Sequence, residues 1–273
     1  MSFIGLFNNQ LTSIVPGAFR GLTNLGELYL AGNPLTTVSK YTFSGLTTMY
    51  HLNLFATQFT TIEPDAFSQL TNLEELILSR NQLTSIAPDT FSGHSRLERL
   101  ALNENRLTSL VPDMFLGLDN LKRLYLNNNQ LTGLVPEIFK DLNSLTQLCL
   151  YHNQLTSFSP DVINLNSNID YLDLSFNKLA RLDSSMFEGL IKLESLGLEG
   201  NQISEIDRNT FIEMDQLSTV CFKTNPVVSL FPHLVQSTVC GHRPQSCNVK
   251  TDESCCSSSI GRCDIYCEMR YLQ

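Results

Sequence analysis

An asparagine at every twenty-fourth residue constrains this chain more than any other feature. Asn9, Asn33, Asn81, Asn105, Asn129, Asn153, Asn177, Asn201 and Asn225 fall on one ladder, and Thr57 takes the remaining rung. Around each sits the same frame, cleanest at Leu121, Leu124, Leu126, Asn129, Leu131, Leu134, Phe139 and Leu142. Ten copies begin at Met1, Leu25, Met49, Leu73, Leu97, Leu121, Leu145, Ile169, Leu193 and Leu217. A period of this length means a solenoid, because one copy cannot bury its apolar face except by stacking on its neighbours.

Within one copy, alternation around Leu124 and Leu126 predicts a short strand with both leucines inward and Tyr125 outward. Stacked copies then make one parallel sheet, which needs a covered inner face; Leu131, Leu134, Phe139 and Leu142 of the return half supply it. An Asn amide at the turn both donates to and accepts from backbone groups. The ladder is therefore expected to be buried and hydrogen-bonded, with the copy containing Thr57 locally weaker or recruiting water. Phe19, Phe43, Phe67, Phe91, Phe115, Phe139, Phe187 and Phe211 share one slot, with Ile163 as its conservative exception, and read as a core spine. Proline three residues before the slot, at Pro16, Pro64, Pro88, Pro112, Pro136 and Pro160, suits turn-like backbone. Helices on that side should be short or absent. His94 stands in a leucine slot, where repacking or partial exposure is expected.

Net charge is -9, from 18 basic and 27 acidic residues, and no Lys/Arg cluster is interleaved with aromatics, so a nucleic-acid partner is not expected. No apolar run nears the roughly 20 residues of a membrane span, and no basic-then-apolar leader precedes the first copy, so the chain is expected to be soluble, any leader having been removed. The five histidines are dispersed, and no phosphate loop, metal-ligand pair or nucleophile elbow occurs. Neither catalysis nor a cofactor is implied. No Asn-x-Ser/Thr acceptor is present.

Six of the eight cysteines, Cys240, Cys247, Cys255, Cys256, Cys263 and Cys267, crowd the C-terminus. Paired C-x2-C knuckles are missing, which argues against zinc and for disulfides formed in an oxidising compartment. Their pairing is open. This gives a division into an array, residues 1–229, and a Cys-rich capping segment, residues 230–273, which is expected to cover the last copy. At the other end no cap precedes Met1: either the chain is a fragment or mature form, or Met1, Phe3, Ile4 and Leu6 meet a partner, and the strand edge there invites self-association.

Copies such as Asn81-Gln82-Leu83-Thr84-Ser85-Ile86 closely resemble the 24-residue "typical" class of extracellular leucine-rich repeats, including variable lymphocyte receptors and related animal and microbial receptors. The resemblance covers residues 1 to about 230. It implies an α/β solenoid: a leucine-rich repeat horseshoe with a parallel concave sheet, a mostly irregular convex side, and a Cys-rich C-terminal segment. It also implies ligand binding on the concave face, secretion or surface display, and no catalysis. Two features depart from the lymphocyte receptors: Val15, Ala87, Val111 and Val135 intervene before Pro, and no Trp-x-Cys-x-Cys opens the C-terminal segment.

Since fixed positions build the scaffold, function is expected in the variable outward ones. Tyr125, Tyr151, Tyr171 and Phe176 should gather across successive strands, with Arg99 and Arg123 on one side, Asp173 on the other and His152 close by. Exposed Tyr beside Arg is what protein-binding hot spots favour, although outward aromatics also simply suit strands. Cys149 in the same patch is expected to be a buried or capped thiol. The expected function is an extracellular, receptor-like recognition module, of an immune type or another, for a protein or glycoconjugate. The alternatives are a self-associating structural array or an inhibitor of a secreted enzyme. Replacing Tyr125, Tyr151 and Tyr171 together by Ala is expected to abolish binding with little change in melting temperature.

Overall fold

The computed structural model describes residues 2–163, 168–211 and 214–227. Its main element is a ten-stranded, all-parallel sheet. The strands are β1 (Ser2–Gly5), β2 (Leu25–Tyr29), β3 (His51–Asn53), β4 (Glu75–Ile77), β5 (Arg99–Ala101), β6 (Arg123–Tyr125), β7 (Gln147–Cys149), β8 (Tyr171–Asp173), β10 (Ser195–Gly197) and β12 (Thr219–Cys221). Each pairs with the next at the same repeat position, as Leu100 with Leu124 and Leu124 with Leu148. A second, two-stranded parallel sheet, β9 (Arg181–Leu182) with β11 (Glu205–Ile206), lies on the return path.

One continuous core runs the length of the array, with Leu124, Leu126, Leu131, Phe139 and Leu142 all at 0% exposure. The phenylalanine slot becomes a stack: ring centres lie 6.4 Å apart from Phe19 to Phe43, 6.1 Å from Phe43 to Phe67 and 5.8 Å from Phe115 to Phe139. Among the described residues helix is nearly absent, as the prolines predict. Pro88–Phe91 and Pro160–Val162 are 3-10 turns. Elsewhere the residue after Pro takes positive φ, as at Gly17, Asp65, Asp113 and Glu137, the geometry of a turn with Pro in its second position.

The Asn ladder is a seam between copies. Asn129 Nδ2 donates to Leu126 O and to Leu102 O of the preceding copy, both at 3.0 Å, while its Oδ1 accepts from Leu107 N at 3.0 Å. At the exceptional rung, Thr57 Oγ1 donates to Leu54 O at 2.9 Å and to Asn81 Oδ1 at 3.0 Å, but reaches nothing in the preceding copy, where Leu35 N turns to Asn33 O instead. Thr57→Asn should therefore restore two bonds across that seam, each worth about 1 kcal/mol net, against one hydroxyl bond lost. Urea unfolding should show a gain of about 1 kcal/mol, and a loss of stability would refute this account of the weak rung.

His94 is a correction to the expected repacking or exposure. It is 1% exposed, with Nδ1 2.9 Å from Phe91 O and Nε2 3.0 Å from Phe67 O. A flat ring with a nitrogen at each edge fills the leucine's space between carbonyls of two successive copies, to one of which its N–H donates in either neutral tautomer.

A left-handed residue precedes every rung: Asn8, Gly32, Ala56, Arg80, Glu104, Asn128, His152, Phe176, Gly200 and Thr224 all have φ between 51° and 71°. For a residue with a Cβ this costs roughly 1 kcal/mol, which the stacked array sustains in copy after copy. The turn swings these side chains to the rim of the sheet.

Candidate ligand-binding face

The sheet face turned away from the core carries three side-chain ladders. The first runs Glu27, His51, Glu75, Arg99, Arg123, Gln147, one residue per strand. Glu75 bridges two neighbours, with Oε2 2.9 Å from His51 Nδ1 and Oε1 2.8 Å from Arg99 Nη1. Burial by itself would raise the Glu75 carboxyl, but the His51 hydrogen bond and the Arg99 charge outweigh it and leave the group below its ordinary value of 4.5. Glu27 accepts from Tyr29 Oη at 2.6 Å and from Tyr50 Oη. That bond, with burial and the Glu27 charge behind it, pushes the Tyr50 hydroxyl up to about 12.

The middle ladder is apolar. Ile77, Ala101, Tyr125 and Cys149, with Phe55 and Tyr171, form a second hydrophobic cluster separate from the core. The Arg99 guanidinium lies 5.5 Å from the Tyr125 ring centre, within cation–π range. On the third ladder Ser79 Oγ lies 2.6 Å from Asn103 Oδ1, and Asn128 Nδ2 at the rim donates to Tyr151 Oη at 3.3 Å.

The expected aromatic patch divides in two. Tyr125 and Tyr171 join Cys149 in the apolar cluster, while Tyr151 meets His152 edge-on at 5.5 Å and His152 stacks on Phe176 at 4.4 Å with 3° between planes. Gly200 is required beneath this stack, because a Cβ there would run into the Phe176 ring. Asp173, from β8, accepts from Ser175 N at 2.9 Å and Tyr171 Oη at 3.3 Å.

Exposure differs from expectation. Tyr125, Tyr151 and Tyr171 are only 4%, 8% and 7% exposed, and Arg99 and Asp173 are buried too, whereas Arg123 and Phe176 are half-buried and His152 is exposed. Outward side chains on strands about 4.8 Å apart cover one another. The triple Tyr→Ala substitution would therefore lower the melting temperature, and His152 and Phe176 are the sounder probes. The Glu27–His51–Glu75–Arg99 series was legible as an outward ladder at 24-residue spacing, but of its members only Arg99 was a candidate site residue; the ion pairs that join them needed the stacked strands.

Among the described residues no group of three or more His, Cys, Asp or Glu could hold a metal ion, and no helix is long and apolar enough to cross a membrane. The six C-terminal cysteines lie outside the described residues.

The leucine rich repeat family model matches residues 4–59, 47–107, 71–131, 95–155, 119–179 and 167–220. The chain belongs to the leucine-rich repeat family. Among solved structures, the array is similar to TLR13 in its complex with ssRNA13 (TM-score 0.77, 30% identity, covering 81% of this chain and 32% of that one). In fold it is also similar to the Drosophila Toll–Spätzle complex (TM-score 0.78, 23% identity, 89% and 33%). A third neighbour is a leucine-rich repeat protein of Leptospira interrogans (TM-score 0.65, 28% identity, 86% and 64%). The chain thus spans about a third of the length of the two Toll-type chains. No curated relative matches it by sequence. The TLR13 complex also means that a leucine-rich repeat protein can carry RNA, so net charge alone does not dispose of a nucleic-acid ligand for this family.

Proposed function

We propose that this leucine-rich repeat chain is an extracellular, receptor-like recognition module that binds a protein on its concave face. The observation that carries the reading is the second apolar cluster, from Phe55 to Tyr171, on the side of the sheet that the core does not use. Beside it stand a charged ladder and the rim stack of His152 on Phe176. Aromatic and arginine side chains gathered on a rigid sheet suit a protein interface. Complexes of Toll with Spätzle, and of FLRT2 with Latrophilin 3 and Unc5D, give precedent within the fold. A glycoconjugate would use the same rim stack. RNA, the ligand of TLR13, suits this face less well, because Glu27, Glu75, Asp173 and Glu199 punctuate it with negative charge. The crowded C-terminal cysteines support secretion, with the six paired as disulfides of a capping segment.

The test is a panel of secreted and cell-surface ectodomains, screened against the wild-type chain, His152→Ala/Phe176→Ala and the convex control Arg20→Ala. Hits on the wild type should lose about tenfold or more in affinity with the double variant, as when an aromatic anchor is truncated, at nearly unchanged melting temperature. Hits that survive it but depend on the convex face would sink the reading. Self-association is the second reading, since Phe3 on β1 is 68% exposed; concentration-dependent sedimentation abolished by Phe3→Ser would favour it.

A further inference from the structure

Arg99 and Arg123 are paired in register on β5 and β6 and project on the same face. Two like charges directly opposite repel, and Glu75 is the one carboxylate shown acting on both. Arg99 takes it at 2.8 Å. The Arg123 Nε is fully buried and has no hydrogen-bond partner among the described residues. The next position on the ladder, Gln147, brings no charge. Lys122, the neighbouring cation, is occupied by Glu98 at 2.8 Å. Arg123 thus feels Glu75 only from a distance, the carboxylate being taken by His51 and Arg99, and its Nε is a buried donor without an acceptor at the middle of the proposed binding face. A guanidinium offers two parallel N–H groups to a carboxylate, and Tyr125, two residues along the same strand, borders it with apolar surface.

We infer that Arg123, beside Arg99 and Tyr125, is the seat for a single carboxylate of a peptide segment in the ligand, carried next to an apolar or aromatic side chain. This rests on the concave-face reading and specifies its partner. A polyanion does not fit, because Glu75 on β4 and Asp173 on β8 each lie two strands from Arg123, about 10 Å away. The closely spaced charges of a nucleic acid or sulfated glycan would fall on those carboxylates. An isolated Asp or Glu side chain meets only the guanidinium.

The probe is a random peptide library displayed on phage, selected separately on the wild-type chain, Arg123→Gln and Arg123→Lys, with His152→Ala/Phe176→Ala marking concave binders. Because Arg123 gives up only a long-range attraction to Glu75, which keeps His51 and Arg99, Arg123→Gln should melt close to the wild type. Wild-type selection should enrich Asp or Glu adjacent to an aromatic or aliphatic residue. A selected peptide should lose about tenfold in affinity when its acid becomes the amide. That ratio should vanish on Arg123→Gln and survive in part on Arg123→Lys. An equal ratio on Arg123→Gln overturns the assignment, as does Arg123-dependent retention of a single-stranded RNA oligomer in preference to the peptides. Concave binders without acid preference overturn the carboxylate seat but leave the binding face standing. Failure to select any concave binder overturns both.

Discussion

Replacing Phe139 by Ala is expected to remove about 3–5 kcal/mol of stability, the usual range for truncating a buried aromatic. Phe139 is 0% exposed and stacks at 5.8 Å on Phe115. Its slot has no second wall that can collapse, because Leu131 and Leu142 of the same copy are themselves fully buried. In a solenoid each copy depends on its two neighbours, so a cavity at mid-array also uncouples the copies on either side. Urea unfolding should show both the lower midpoint and a shallower or split transition. The same truncation at Phe211, which is only half-buried, should cost less. A loss under about 1 kcal/mol at Phe139 would contradict a continuous spine.

Arg99→Ala is expected to be nearly as damaging, for a different reason. Glu75 and Arg99 have side chains only 19% and 7% exposed, and removing Arg99 leaves the Glu75 carboxylate with the His51 hydrogen bond and the more distant Arg123 charge alone. Breaking a buried pair costs about 3–5 kcal/mol, and the residual access of Glu75 to water puts this one at the lower end. Because the Glu75 carboxyl sits below 4.5 in the folded chain, its contribution is complete above that pH and is lost as pH falls through the folded value. The deficit of Arg99→Ala against wild type should therefore be full at neutral pH and shrink once the pH drops below 4.5. Urea midpoints across a pH series, with Glu75→Gln as reference, would measure it. A deficit of constant size down to the acid limit would mean that Arg99 acts through packing on Tyr125 and not through charge.

Much of this architecture was legible before any coordinates. The 24-residue ladder gave the solenoid, the inward leucines, the phenylalanine spine and the near absence of helix, and the structure has each of them. Where an individual residue broke the pattern, the reading was less secure. Thr57 was singled out as a weak rung because an absent amide is visible in the letters, and the structure shows its hydroxyl bonded to Leu54 O and Asn81 Oδ1 but not to the preceding copy. His94 was expected to perturb its slot, and instead sits between two carbonyls; nothing in the sequence says that Phe67 O and Phe91 O stand on either side of that ring. The site was legible only as a set of outward positions. Those positions are real, but strands so close together cover Tyr125, Tyr151 and Tyr171 with their neighbours, which spacing along one chain does not express.

The sequence alone determined which residues vanish into the core, because a strict repeat lets only one stacking bury its invariant side chains. Which variable residues remain open to a partner was decided by the tertiary structure. The left-handed residue before each rung has no signature, being Ala56 in one copy, Glu104 in another and Phe176 in a third. It is imposed by the turn that stacking demands, and it carries His152 and Phe176 to the rim and into contact. Likewise, that Glu75 goes to His51 and Arg99 while the buried Arg123 Nε is left without an acceptor follows from side-chain geometry across adjacent strands, and residues 24 apart in sequence meet there only once the copies have stacked.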